Sequence, residues 1–102
     1  MNYADRFVPN TINQAIILLF SYLSTTDKKK ISKLTEDDLI NLNFSLGGFI
    51  KNEFKLVTND SLKESCRMTS GGNFVHMDEA SYIIIKAFWK RLRQLQRPSV
   101  LN

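Results

Sequence analysis

The sequence predicts an all-α fold, a single compact domain of four to five helices. Apolar residues recur at three- and four-residue steps in three separate stretches, and each stretch opens on a helix start signal. The third observation is size: 102 residues, 43% hydrophobic and 24% charged, fit one core and leave no room for a second. A net charge of +4 is too small, and the apolar fraction too high, for a chain that stays disordered. The domain is read as residues 1–102, with flexible ends at 1–10 and 98–102.

The first helix starts at Thr11, a hydroxyl cap with Gln14 three residues on, the spacing of a capping box. Ile12, Ala15, Ile16, Leu19, Phe20 and Leu23 form its stripe, and Ile17, Leu18 and Tyr22 widen that stripe to most of the circumference, which predicts a central helix. Ser24 to Lys30 is polar, and Thr26 is the expected cap of one or two helical turns. Thr35, followed by Glu36, Asp37 and Asp38, repeats the start signal, because a hydroxyl and first-turn acids both favour the positive end of a helix. Leu39, Leu42, Leu46, Phe49 and Ile50 continue that helix through Gly47 and Gly48. Two interior glycines cost about 1 kcal/mol each relative to Ala, so close approach of another helix, or a kink, is expected there ahead of a ligand.

Residues 57–76 are the least regular. Asn59-Asp60-Ser61 and Ser70-Gly71-Gly72-Asn73 are turn clusters around a short helix from Leu62 to Cys66, while alternation in Glu53–Val57 and Asn73–His76 suits a short hairpin instead. The reading stays open between a hairpin and an irregular loop. The last helix is the clearest: Asp78 and Glu79 open it, Met77, Ala80, Ile84, Ala87, Phe88, Leu92 and Leu95 form its face, and it runs to about Gln96 before Pro98.

A lone Cys66 permits no internal disulfide, which favours a reducing compartment. The longest apolar stretch, from Ile12 to Leu23, falls short of the roughly 20 residues that span a bilayer, and the first residues lack the pattern of a signal peptide. A cytoplasmic protein without membrane contact is expected. Catalytic arrangements are nearly absent: one His and one Cys give no zinc set, and the acid pairs are accounted for as helix N-terminal charges. No catalytic residue, cofactor or metal ligand is assigned, and a Cys66–His76 pair is disfavoured against a buried thiol. No enzyme is expected.

The basicity is local. Lys86, Lys90, Arg91, Arg93 and Arg97 follow Tyr82 with no acid among them, and 86, 90, 93 and 97 share one helical stripe. A solvated outer face is the plainest reading; docking to an acidic protein comes next, and nucleic acid last, since base-reading groups are sparse along the stripe. Trp89 lies between stripe and core, half buried by its position, and serves either as an interface anchor or as a seal on the core. Most of the remaining aromatics, Phe44, Phe49 and Phe54 among them, are expected in the core. Lys86, Trp89, Lys90, Arg93 and Arg97 are therefore the candidate binding residues.

Two stretches, Phe44-Ser-Leu-Gly-Gly-Phe-Ile-Lys-Asn-Glu-Phe-Lys-Leu56 and the helix start His76-Met-Asp-Glu-Ala-Ser, resemble a family of small bacterial proteins that is a domain of unknown function. The first is similar to its pattern of a Gly turn, an aromatic, Ile, a basic residue, Asn, an aromatic and Leu. The second is similar to its His-Pro-Asp-Asp-x-Ser helix start, with Met77 in place of Pro. The resemblance covers residues 11–92 and implies a bacterial or phage setting and a mostly helical domain, with no catalytic residue to carry over. It marks Lys51, Asn52, His76, Asp78 and Ser81, which physically suit a polar network fixing the third helix against the last ahead of a ligand site. The function expected is a non-enzymatic protein-binding module, with an immunity-type or phage-encoded inhibitor as the specific form and a nucleic-acid binder as the alternative.

Overall fold

A computed structural model of the chain describes residues 8–72 and 75–96. Five helices follow one another: α1 (Ile12–Tyr22), α2 (Thr25–Ser32), α3 (Leu39–Glu53, entered through a 3-10 turn at Glu36–Asp38), α4 (Asp60–Ser70) and α5 (Met77–Gln96). The described residues contain no strand, and the all-α expectation holds.

The central helix is α5, not α1. It packs against all four other helices, α3 above all. Ala80, Ser81, Ile84, Ile85, Phe88, Trp89 and Leu92 are its buried positions, a stripe two residues wide that returns every turn, while Leu95 and Met77 stay exposed. α1 buries only Ile12, Ala15, Ile16 and Leu19, and Ile17 is 66% exposed, so its all-round hydrophobicity does not make it a core helix. Within the core, Phe20 meets Phe88 edge to face, with ring centroids 5.3 Å apart.

Start signals act mostly where the sequence places them, with shifted partners. Thr11 Oγ1 accepts the Gln14 N–H at 3.2 Å, but the Gln14 side chain returns to the N–H of Asn10, one residue outside the capping box. Ser24, rather than Thr26, caps α2 by accepting the Asp27 N–H. At α3, Asp38 supplies the acceptor: its carboxylate takes both the N–H and the O–H of Thr35, at 2.9 Å each.

The short helix expected from Leu62 to Cys66 forms and is longer, as α4 from Asp60 to Ser70. Its cap is Asn59, whose Oδ1 accepts the Leu62 N–H while its Nδ2 donates to the carbonyls of Pro9 and Phe54. Pro9, assigned to a free end by sequence, is fully buried. Just before α4 the chain reverses at Lys55, which has φ 53°, in the left-handed region, and this turn delivers Leu56 into the core. Glu53–Val57 therefore ends a helix rather than starting a strand. Asn73 and Phe74, the other half of the expected hairpin, lie outside the described residues.

Gly47 confirms the expected close approach, and Gly48 does not. A Cβ on Gly47 would come within 2.3 Å of Asn43 Oδ1 and 3.3 Å of Ser81 Oγ, whereas one on Gly48 would meet nothing within 4 Å.

Candidate protein-docking surface

Three of the five residues expected in a polar network, Lys51, Asp78 and Ser81, meet between α3 and α5, around Asn43, which was not among those five. Lys51 Nζ pairs with Asp78 Oδ1 at 2.5 Å. The Ser81 hydroxyl lies 2.8 Å from Asn43 Oδ1 and 2.9 Å from the Asp78 carbonyl, and Asn43 Nδ2 donates to that carbonyl at 3.5 Å. Asn43, Gly47 and Lys51 stand four residues apart on one line of α3, the spacing that could have revealed Asn43. Gly47 leaves the room in which Asn43 reaches Ser81. His76 enters α5 next to this network, its N–H donated to Glu79 Oε1 at 3.2 Å, while Asn52 is exposed on α3.

The basic stripe of α5 is partly spent inside the molecule. Lys86 Nζ lies 2.6 Å from Glu36 Oε2 at the entry to α3. This hydrogen bond holds the Glu36 carboxyl below the usual carboxylate range and raises Lys86 above the ordinary lysine value. Lys90 and Arg93 remain exposed, and Arg97 lies outside the described residues. Trp89 is 8% exposed, not half buried: its Nε1 donates to the Leu34 carbonyl at 2.9 Å, and the Arg93 guanidinium lies over the indole, 5.0 Å from its centroid. The indole fills the joint between α5 and the segment after α2, where its N–H satisfies the carbonyl of Leu34, two residues beyond the helix end.

That joint leads to an apolar groove that sequence reasoning did not find. The end of α1, α2 and α3 enclose about 480 Å³, walled by Leu23, Ile31, Leu34, Leu42, Leu46 and Phe49. Tyr22 and Phe49, both exposed, meet edge to face at its rim, 5.5 Å between centroids. Asp27, Lys30 and Ser45 are its polar margin. Lys29, Lys30 and Lys33 are exposed on or just after α2, whereas Lys28 is turned back, donating to the Phe20 carbonyl at 3.0 Å and lying over the Phe20 ring. Leu34 joins the two features: its side chain lines the groove and its carbonyl holds Trp89, on which Arg93 rests. The signal lay in α2, which the sequence predicts as one or two helical turns and which carries Ile31 with Leu34 three residues on, the pair that lines the groove.

Cys66 is buried, its thiol directed to the Ala80 carbonyl at 3.7 Å, and burial pushes it up to about 12. A thiol so placed is a poor nucleophile at neutral pH. Among the described residues no three His, Cys, Asp or Glu side chains gather in a way that could hold a metal ion. No described helix is long and apolar enough to cross a membrane. A family model, described as a domain of unknown function (DUF6794), matches residues 8–92. No curated protein and no solved structure matches the chain.

Proposed function

The chain belongs to this DUF6794 family, and from its own surface we propose that it is a non-enzymatic protein-binding module whose partner brings an acidic, amphipathic segment to the α1–α2–α3 groove. One observation carries the reading: the apolar groove and the exposed cations Lys30, Lys33 and Arg93 adjoin at Leu34. Apolar walls supply the binding energy of such a contact, and a rim on which Lys30, Lys33 and Arg93 outweigh the single acid Asp27 steers an oppositely charged partner and sets its register. The anchoring role considered for Trp89 passes to the groove residues beside it, because the indole is already packed and bonded. The specific form we favour is an immunity-type or phage-encoded inhibitor acting by direct contact in a bacterial cytoplasm.

Trp89 is the single tryptophan and touches the groove through Leu34, so its emission reports occupancy. A Leu/Glu amphipathic helical peptide of about 14 residues, roughly 20 Å long, spans such a groove. It is expected to shift the emission saturably, and Lys30→Glu with Arg93→Glu should weaken binding by about tenfold or more. No saturable shift, or an unchanged affinity in the double variant, refutes the reading. Retention of duplex DNA at about 0.05 M salt, abolished by Lys90→Glu with Arg93→Glu, would favour the nucleic-acid alternative instead.

A further inference from the structure

On the other side of α3 a second groove, of about 580 Å³, runs between that helix and the start of α5. Its floor is Val75, Tyr82 and Ile83, and its outer wall is Ile40 and Phe44, one turn apart on α3. Ile40 is 58% exposed and Phe44 83%, the highest exposure among the large hydrophobic side chains described. Neither is needed to close the core. Two large apolar side chains on one exposed line beside a groove have the form of a docking surface, not of scattered surface hydrophobics.

The charge around this groove is opposite to that of the first. Asp78 and Glu79 line it, and Asp37 stands one turn before Ile40. Lys51 offsets Asp78, and Lys86, one turn beyond Tyr82, is tied to Glu36. The carboxylates remain in excess. We infer that this groove seats a cationic amphipathic segment of a partner protein, its apolar side chains against Ile40, Phe44 and Ile83 and its Lys or Arg residues toward Glu79, Asp78 and Asp37. A segment with acidic residues suits the first groove and is repelled here, so the two faces discriminate by sign.

The test uses a labelled Leu/Lys amphipathic peptide of about 14 residues, its Leu/Glu counterpart, and the full chain. Binding of the Leu/Lys peptide is expected to be saturable and to weaken about tenfold in Phe44→Ser, whose exposed position keeps the fold intact by circular dichroism. Glu79→Gln with Asp37→Asn keeps the Glu79 acceptor while removing two charges, and should reduce both affinity and its salt dependence. Phe49→Ser, in the first groove, should leave it unchanged. The inference is overturned if Phe44→Ser binds as the parent does, if the Leu/Glu peptide binds this face equally well, or if sedimentation shows a dimer that Phe44→Ser dissociates, since a second copy would then be the occupant.

Discussion

Gly47 and Gly48 are adjacent in sequence and opposite in consequence. Gly48→Ala adds a methyl to open space in a helix interior and should stabilise the protein by about 1 kcal/mol. Gly47→Ala gains the same helix preference but drives Asn43 off Ser81, and the lost hydrogen bond of about 1 kcal/mol cancels it. In an Asn43→Ala background the gain at Gly47 should reappear; chemical denaturation of the four proteins in this cycle measures it, and additive effects would show that Asn43 does not gate the site. Trp89 gives a second test. Trp89→Ala empties a buried joint and should cost about 3 to 5 kcal/mol, while Trp89→Phe keeps most of the packing but strands the Leu34 carbonyl, at about 1 to 3 kcal/mol. A Trp89→Ala protein as stable as the parent would contradict the sealing role.

Among the elements, α5 was the most legible and α4 the least, and the difference is where each finds its stabilisation. α5 has twenty residues of period and first-turn acids, enough for its ends to be placed from sequence. Of α4 the sequence shows only Leu62 to Cys66, because those are its two buried side chains; its full length is held by Asn59, which joins its first turn to Phe54 and, across the chain, to Pro9. A cap with two further bonds, to Phe54 and to the distant Pro9, looks in sequence like any Asn-Asp-Ser turn. The same blindness hid the first groove, which needs three helices to exist, whereas the Lys51–Asp78 and Ser81 contacts join residues that the family resemblance marks on two recognisable helix segments. Asn59→Ala removes a cap and two further hydrogen bonds and should cost about 2 to 3 kcal/mol, with Asn59→Asp intermediate because the acceptor survives. Thermal denaturation orders the three proteins, and an Asn59→Asp no better than Ala would mean that the cap itself contributes little.

For the molecule as a whole, ionisation brackets stability from both sides of neutrality. Glu36, Asp38 and Glu64 are held below their ordinary values, first by hydrogen bonds from Lys86, Thr35 and Arg67 respectively. Each contribution is present above the unfolded carboxylate value and is lost as pH falls through the lower folded one. All three are at the surface, so the acid decline should be shallow and further flattened by salt. Cys66 works in the opposite direction. Its thiol is raised from about 9 to about 12 by burial, so above pH 9 the unfolded chain releases a proton that the folded one keeps, and stability falls as pH climbs toward 12. Lys86 adds to the alkaline limb, its contribution being lost as pH rises from the ordinary lysine value through the raised one, whereas Arg67, raised above an already higher value, stays protonated. Midpoints of thermal unfolding should therefore be level around neutrality and decline on each side. Cys66→Ala lowers the whole curve through its lost packing but should make the alkaline limb less steep between about pH 9 and 12, because the titrating thiol is gone while Lys86 remains. Parallel alkaline limbs in the parent and in Cys66→Ala would mean that the thiol reaches solvent, contrary to its place beneath α5.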